Sequence, residues 1–340
     1  MEQMVKKREF WIDNIKIFAC IFVVLGHFYQ SMVNSNILPD SLFYEWFNTT
    51  IYYFHVPLFF ICSGYLYRRN TVSFSFHSHI KIIEKKFISL GIPYFTFSLI
   101  TWALKNIFSS SVNTKADGLF TSLFVYPIAP YWFLYCLFFI FVITPIFKTK
   151  KQNEAFFMLT ISLNVISQFI NIDIYIIEKL MSNLIWFSFG IILYEINLTI
   201  KNHKNSSNLV LGIILNVLFI SLSIIFSEYK VTFPCQSLIM GLTACVSYIS
   251  LISYFSATIN QMKLLSFLSK YTMHIYLLHT ICAASLRSLL FKIGISNSII
   301  HIIFGLLVSY IAPIIIGMIS KKIKIFEFFF FPTKYIKIKS

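Results

Sequence analysis

An all-α protein crossing a membrane about ten times is what this sequence predicts, and three observations carry that reading. The chain is 57% hydrophobic and only 12% charged, about half the charged share of a soluble domain. Its apolar residues gather into stretches near 20 residues, the length a helix needs to cross about 30 Å of hydrocarbon. Its basic residues fall between those stretches in a one-sided pattern.

The spans are expected, in order, at 14–33, 50–67, 87–104, 131–147, 155–171, 182–196, 208–226, 235–256, 271–290 and 297–319. Charged and turn residues bound them; the sixth is short and the eighth is rich in Ser, Thr and Gly. Segment 118–130 is apolar but carries two prolines, so it is expected to dip into the interface without spanning. With the N-terminus cytoplasmic, segments 1–12, 68–86, 148–154, 195–207, 257–270 and 320–340 hold 21 of the 28 Lys and Arg. The opposite side holds six: Lys105, Lys115, Lys179, Lys230, Arg287 and Lys292. Both termini are therefore expected inside. This asymmetry also explains the net charge of +15, which in a soluble chain would suggest nucleic acid.

No segment between spans is long enough to fold alone, so residues 1–340 are read as one integral-membrane domain with its helical core over about 13–320. The first apolar run, 17–33, is long for a signal peptide and lacks a small-x-small cleavage site. The six cysteines (Cys20, Cys62, Cys136, Cys235, Cys245 and Cys282) all lie in or beside apolar segments. None is spaced as a metal-ligand pair, so they read as small buried residues, with neither disulfides nor zinc.

The polar residues inside the spans carry the chemistry. Lys16 and His27 stand eleven residues apart, three turns plus about 20°, and so share one face of the first helix. They are separated by roughly 16 Å along the axis, which suits action on the two ends of one long ligand. Asp13, at i−3 from Lys16, either forms an ordinary ion pair at the helix start or fixes Lys16 for an anion arriving from the cytoplasm. His55, thirteen residues before Arg68, falls at a depth close to that of His27, on the antiparallel second helix. His279 is expected near the midplane, and His274 and His301 at the interfaces. A lone intramembrane histidine often only bridges two helices; two at one depth above Lys16 favour a site.

Arg68, Arg69, Lys81, Lys85 and Lys86 form a basic inner loop, either purely topogenic or, beside Lys16, a phosphate site. His77 and His79 read as part of that solvated loop rather than a metal pair. Pro57 is expected to kink the second helix, and Ser63-Gly64 to permit close backbone approach.

Taken together, these residues resemble the acyltransferase-3 family of bacterial integral-membrane O-acyltransferases. Asp13, Lys16 and His27 match its D-x-x-(R/K)-x10-H pattern, followed by FHVPLFFICSGYL (54–66), KKFISLGIPY (85–94), PYWFL (130–134), FSFG (187–190) and LSKYTMHIYLLH (268–279). The matches keep the family's order over nearly the whole chain. Many members have arginine where Lys16 stands, so the bidentate fork is lost here. No hydrolase-like domain follows the last span before Ser340, which is similar to the single-domain members.

The resemblance implies a multi-pass protein of the bacterial inner membrane that moves an acyl group, acetyl by default, from cytoplasmic acyl-CoA to a sugar hydroxyl. The acceptor would be an O-antigen, capsule or exopolysaccharide unit. Lys16, Arg68, Arg69, Lys85 and Lys86 would hold the donor's phosphates. His27 would act as general base or acyl carrier, Asp13 would fix Lys16, and His55 would orient His27 or stabilise an oxyanion. Ser63, Trp132 and His279 would line the acceptor pocket. No metal or tightly bound cofactor is implied, and the partners would be acyl-CoA, the glycan and the bilayer. A glycan or lipid-linked sugar exporter is the alternative, since buried His, Lys and Asp also suit proton-coupled transport.

Overall fold

The computed structural model describes residues 9–71, 75–110, 112–196, 206–259 and 262–336. Seven basic residues of the proposed inner side (Lys6, Lys7, Arg8, Lys201, Lys204, Lys337 and Lys339) lie outside the described residues. Backbone groups in hydrocarbon must be satisfied within the chain, and the described residues are helical with no strand.

In chain order the helices are α1 (Phe10–Asn34), α2 (Leu42–Tyr52), α3 (His55–Asn70), α4 (Phe76–Lys86), α5 (Ile92–Ile107), α6 (Trp132–Ile143) and α7 (Lys150–Ile166). There follow α8 (Tyr175–Ile196), α9 (Ser206–Glu228), α10 (Gln236–Ile259), α11 (Lys263–Ser269), α12 (Thr272–Lys292), α13 (Ser298–Ser320) and α14 (Lys324–Phe330). Helix falls within each of the ten expected spans, but the second is interrupted and the fourth and fifth end before their expected limits. Seven are long and apolar enough to cross a membrane; α3, α6 and α7 are shorter, at 16, 12 and 17 residues. The chain is thus an all-α, multi-pass membrane protein.

α1 and α8 bury 56% of their spans, whereas α9 and α13 bury 17% and 22%. The former stand at the centre and the latter face the surroundings. α1 packs antiparallel to α3 through Trp11–Tyr65 and Phe22–Phe54 contacts at 5.0 Å. Beside α12 it runs parallel, with Cys20 at Thr272, His27 at His279 and Ser31 at Arg287.

The tightest approach is between α3 and α8. A Cβ added to Gly64 would lie 1.8 Å from the Phe187 carbonyl oxygen, and one on Gly190 would lie 2.0 Å from that of Ile61. The Ser63-Gly64 reading and the FSFG segment meet at this contact.

Several expectations need correction. The second span is broken: α2 ends at Tyr52 and α3 begins at His55. Pro57 therefore sits in the first turn of α3, where its missing N–H has no helical acceptor to lose, and it opens the helix rather than kinking it. His77 and His79 lie on α4, not in a loop, and α4 continues through a π-helical stretch at Phe87–Gly91 into α5 as one 32-residue rod. His79 Nε2 donates to the Val142 carbonyl at 3.1 Å. His274 and His301 lie near helix ends as expected, but both are buried. Phe330 of α14 covers His274 at 4.4 Å, and Phe291 covers His301 at 4.9 Å. α6 ends early because Thr144 precedes Pro145 and takes an extended backbone.

Gly64→Ala and Gly190→Ala should each destabilise the protein by about 1–3 kcal/mol through overpacking. Thermal unfolding in detergent would show it, with Gly118→Ala, whose Cβ meets nothing closer than 4.0 Å, unchanged.

Candidate active site

The first feature is a row of three histidines. His55 and His279 each place Nδ1 against backbone carbonyls: Ile51 at 2.6 Å for His55, Ile275 at 3.0 Å and Tyr276 at 2.9 Å for His279. A carbonyl oxygen only accepts, so Nδ1 carries the proton in both rings and Nε2 presents a lone pair. The Ile51 carbonyl at the break between α2 and α3 also accepts from the Phe54 N–H at 3.2 Å, so His55 shares it with the backbone. His27 neighbours both: its ring centroid is 5.5 Å from that of His279, and it interacts electrostatically with His55 and His279. His279 Nε2 is buried and has no hydrogen-bond partner.

His27 and His279 line a cavity of about 430 Å³ between α1, α5, α12 and the 108–114 segment. The cavity wall next to His279 is braced from the PYWFL segment. Tyr131 donates to the Leu277 carbonyl at 2.9 Å and pairs with Thr101 at 3.0 Å, while Tyr276 donates to the Pro130 carbonyl at 2.6 Å. The two bonds from Tyr131 to Leu277 and from Tyr276 to Pro130 lock the α12 turn that carries His279 against the start of α6, and the Thr101 bond ties α5 to the same point.

The second feature lies toward the other end of α1. Lys16 is half-buried and makes no hydrogen bond or ion pair with a described residue. Lys86 interacts electrostatically with Lys16 and with exposed Lys85, and its Nζ lies 4.0 Å from the centre of the Phe141 ring. Neither Lys16 nor Lys86 pairs with a described carboxylate. Like charges held together repel unless an anion joins them. The described ion pairs include none between Asp13 and Lys16; Cys62 of α3 feels both charges.

The two arginines of the predicted phosphate site are engaged elsewhere. Arg68 is ion-paired with Glu195 of α8, which also accepts from Asn153 at 3.0 Å. Arg69 pairs with Glu9 at 2.9 Å, and Glu9 also accepts from Trp11 at 3.0 Å. The structure therefore brings Lys16 together with Lys86 and leaves Arg68 and Arg69 as helix ties.

Ser63 donates to the Phe59 carbonyl at 2.8 Å, a helix-internal bond. Trp132 lines a second cavity, of about 410 Å³, with Tyr52, Tyr175 and Lys179. Tyr52 links the two regions, since its ring stands 4.6 Å from that of His55. Among the described residues no group of His, Cys, Asp and Glu could hold a metal ion, and the six cysteines are free.

Sequence reasoning counted Arg287 only as an outer charge, yet it lines the cavity with His27 and His279. The signal was there: an arginine inside an apolar span, eight residues after a candidate histidine.

Comparison with known proteins agrees in kind. A family profile described as an acyltransferase domain matches residues 9–318. The nodulation protein NolL of Mesorhizobium japonicum is 25% identical over 145 residues, 43% of this chain and 37% of that protein. NolL of Sinorhizobium fredii is 30% identical over 141 residues, 41% of this chain and 37% of its own. The chain thus matches little more than a third of the length of these curated relatives. No solved structure matches it.

Glu195→Gln should cost about 1–3 kcal/mol of stability, because it leaves a partly buried guanidinium without its carboxylate. An Arg68→Met/Glu195→Met pair should lose less than the sum of the single changes in thermal unfolding; additive losses would mean the two side chains are not coupled.

Proposed function

The chain belongs to the acyltransferase-3 family, and from that premise we propose that it transfers an acyl group, acetyl first, from cytoplasmic acyl-CoA to a sugar hydroxyl of a cell-envelope glycan. The supporting observation is an arrangement along α1: the ammonium groups of Lys16 and of Lys86 from α4, neither ion-paired with a described residue, and His27 eleven residues beyond Lys16, beside the Nε2 of His279, which has no described partner. The membrane in this reading is the bacterial cytoplasmic membrane, with both termini inside.

The donor's diphosphate would sit between Lys16 and Lys86, with Lys85 adding to the field. Its pantetheine arm would run along the face of α1 toward His27, roughly 16 Å away. Cys20, Val23 and Val24 fill that face and are buried, so the arm would part α1 from α12. The acceptor would enter the cavity from its opposite end.

His27 takes the proton of the sugar hydroxyl, whose oxygen attacks the thioester carbonyl. The tetrahedral intermediate then expels the CoA sulfur, and the imidazolium returns the proton to it. His279, with its lone pair toward the cavity, orients His27 or the hydroxyl. The Ile51 bond places the His55 proton on Nδ1, which suits His55 to orienting His27 rather than to stabilising an oxyanion. Asp13, near Lys16 in chain and space, acts at the donor end. Arg68 and Arg69 hold α3 to its neighbours, and Trp132 belongs to the neighbouring cavity.

His27→Ala should lower kcat by about 10²- to 10⁴-fold, the usual contribution of a general base. Lys16→Ala should raise KM for acyl-CoA while sparing kcat at saturating donor; the reverse pattern would remove Lys16 from the phosphate site. The decisive test is NMR of O-acetyl esters on the surface glycan of a deletion strain. Restoration by the wild type but not by His27→Ala, at matched membrane levels, supports acyl transfer. Loss of the glycan itself, with acetylation unchanged, would point to export.

A further inference from the structure

Building on the acyl-transfer reading above, we propose that the acceptor carries an anionic group, a carboxylate or a phosphate, and that Arg287 binds it inside the cavity shared by His27 and His279. Arg287 is 5% exposed, which puts a full positive charge inside the helical bundle. Its guanidinium donates to the Ser31 hydroxyl and, at 3.5 Å, to the Ser31 carbonyl. Both bonds come from one nitrogen. No described carboxylate pairs with it.

The molecule supplies its own comparison. Arg68 and Arg69, both also mostly buried, each hold a glutamate. An uncompensated buried charge costs several kcal/mol, and arginine offers five N–H donors in a planar fork suited to carboxylate or phosphate. Lys105 and Lys292 line the same cavity, and no Asp or Glu lines it. Among the described residues the wall therefore carries three cations and no carboxylate, with Asp117, outside the wall, acting on Lys105 alone.

Position sets the geometry of the acceptor. Arg287 lies eight residues beyond His279 on α12, roughly 12 Å along the axis. The anion is thus held well away from the hydroxyl that reacts, on a neighbouring unit of the glycan or on a phosphate that links it. Such a contact fixes which hydroxyl reaches His27, because it anchors the acceptor from one end.

The test uses three methyl or phosphate sugars with the purified full-length protein in detergent free of anionic lipid. Methyl β-cellobiouronide and cellobiose 1-phosphate supply the two anions, each on the unit next to a glucose that can react, and methyl β-cellobioside is the neutral control. Transfer from labelled acetyl-CoA should favour one anionic probe over the neutral one by about 10- to 100-fold in kcat/KM, the worth of a hydrogen bond to a charged group. The preferred anion separates an acidic sugar from a phosphate. Arg287→Met should abolish the preference, and Arg287→Lys should keep part of it, since charge remains while the fork is lost.

Thermal unfolding with each probe gives a readout independent of transfer. Stabilisation of the wild type by an anionic probe, reduced in Arg287→Lys and absent in Arg287→Met, supports the site even if no acyl group moves; that outcome would count against acyl transfer alone. Transfer with equal use of neutral and anionic probes, or equal stabilisation by all three, overturns the anion site and leaves acyl transfer standing. Stabilisation by phosphatidylglycerol with none by the sugars assigns Arg287 to a lipid headgroup and also overturns the proposal.

Discussion

A hydrogen-bonding group inside hydrocarbon has no water to meet its needs, so each must find a partner within the chain. The buried imidazoles of this protein are shaped by that constraint. His55 and His279 bond through Nδ1 to carbonyls three or four residues back, and the bond fixes which nitrogen is bare. His27 thus meets two imidazoles whose tautomers are already set. The arginines obey the same rule through glutamates from other segments. Against that background Lys16, Lys86 and Arg287 stand out, because none of them is ion-paired with a described carboxylate. One pole of positive charge lies toward the start of α1, and the other lines the histidine cavity toward its end.

What holds these poles in register is backbone, not side chain. α3 sits against α8 closely enough that Gly64 and Gly190 admit no Cβ, and α1 leans on α3 through aromatic edges. On the other flank the tyrosines at 131 and 276 reach backbone carbonyls across the α6–α12 seam. His27 and His279 thus hang on two rigid walls that meet at α1.

The sequence made the spans, the shared face of Lys16 and His27, and the glycine contact legible, because each depends on local spacing and hydropathy. It hid the break between α2 and α3: FNTTIYYFHVP reads as continuous by hydropathy, and only the packing of Pro57 in a first turn decides otherwise. It also hid the partners of Arg68 and Arg69. Glu195 lies 127 residues from Arg68, and no local pattern reports such a distance. Arg287 was visible but misread, since charge counting by loops assigns residues near a span end to the water. Its burial comes from the parallel course of α1 and α12, which only the fold reveals.

That parallel pairing has a consequence for how the protein is made. Residues in contact across α1 and α12 are separated by 252 positions, as Cys20 and Thr272 are. At about 5–20 residues per second, the helix carrying Lys16 and His27 waits roughly 10–50 s in the membrane before its partner emerges. During that interval its polar face has only α3 and the segments between for shelter. The helix that enters first is therefore completed by one of the last, and the cavity exists only once nearly the whole chain has been threaded. A nascent chain cut short anywhere before α12 carries His27 without the pocket, so the cavity is a property of the nearly finished chain alone.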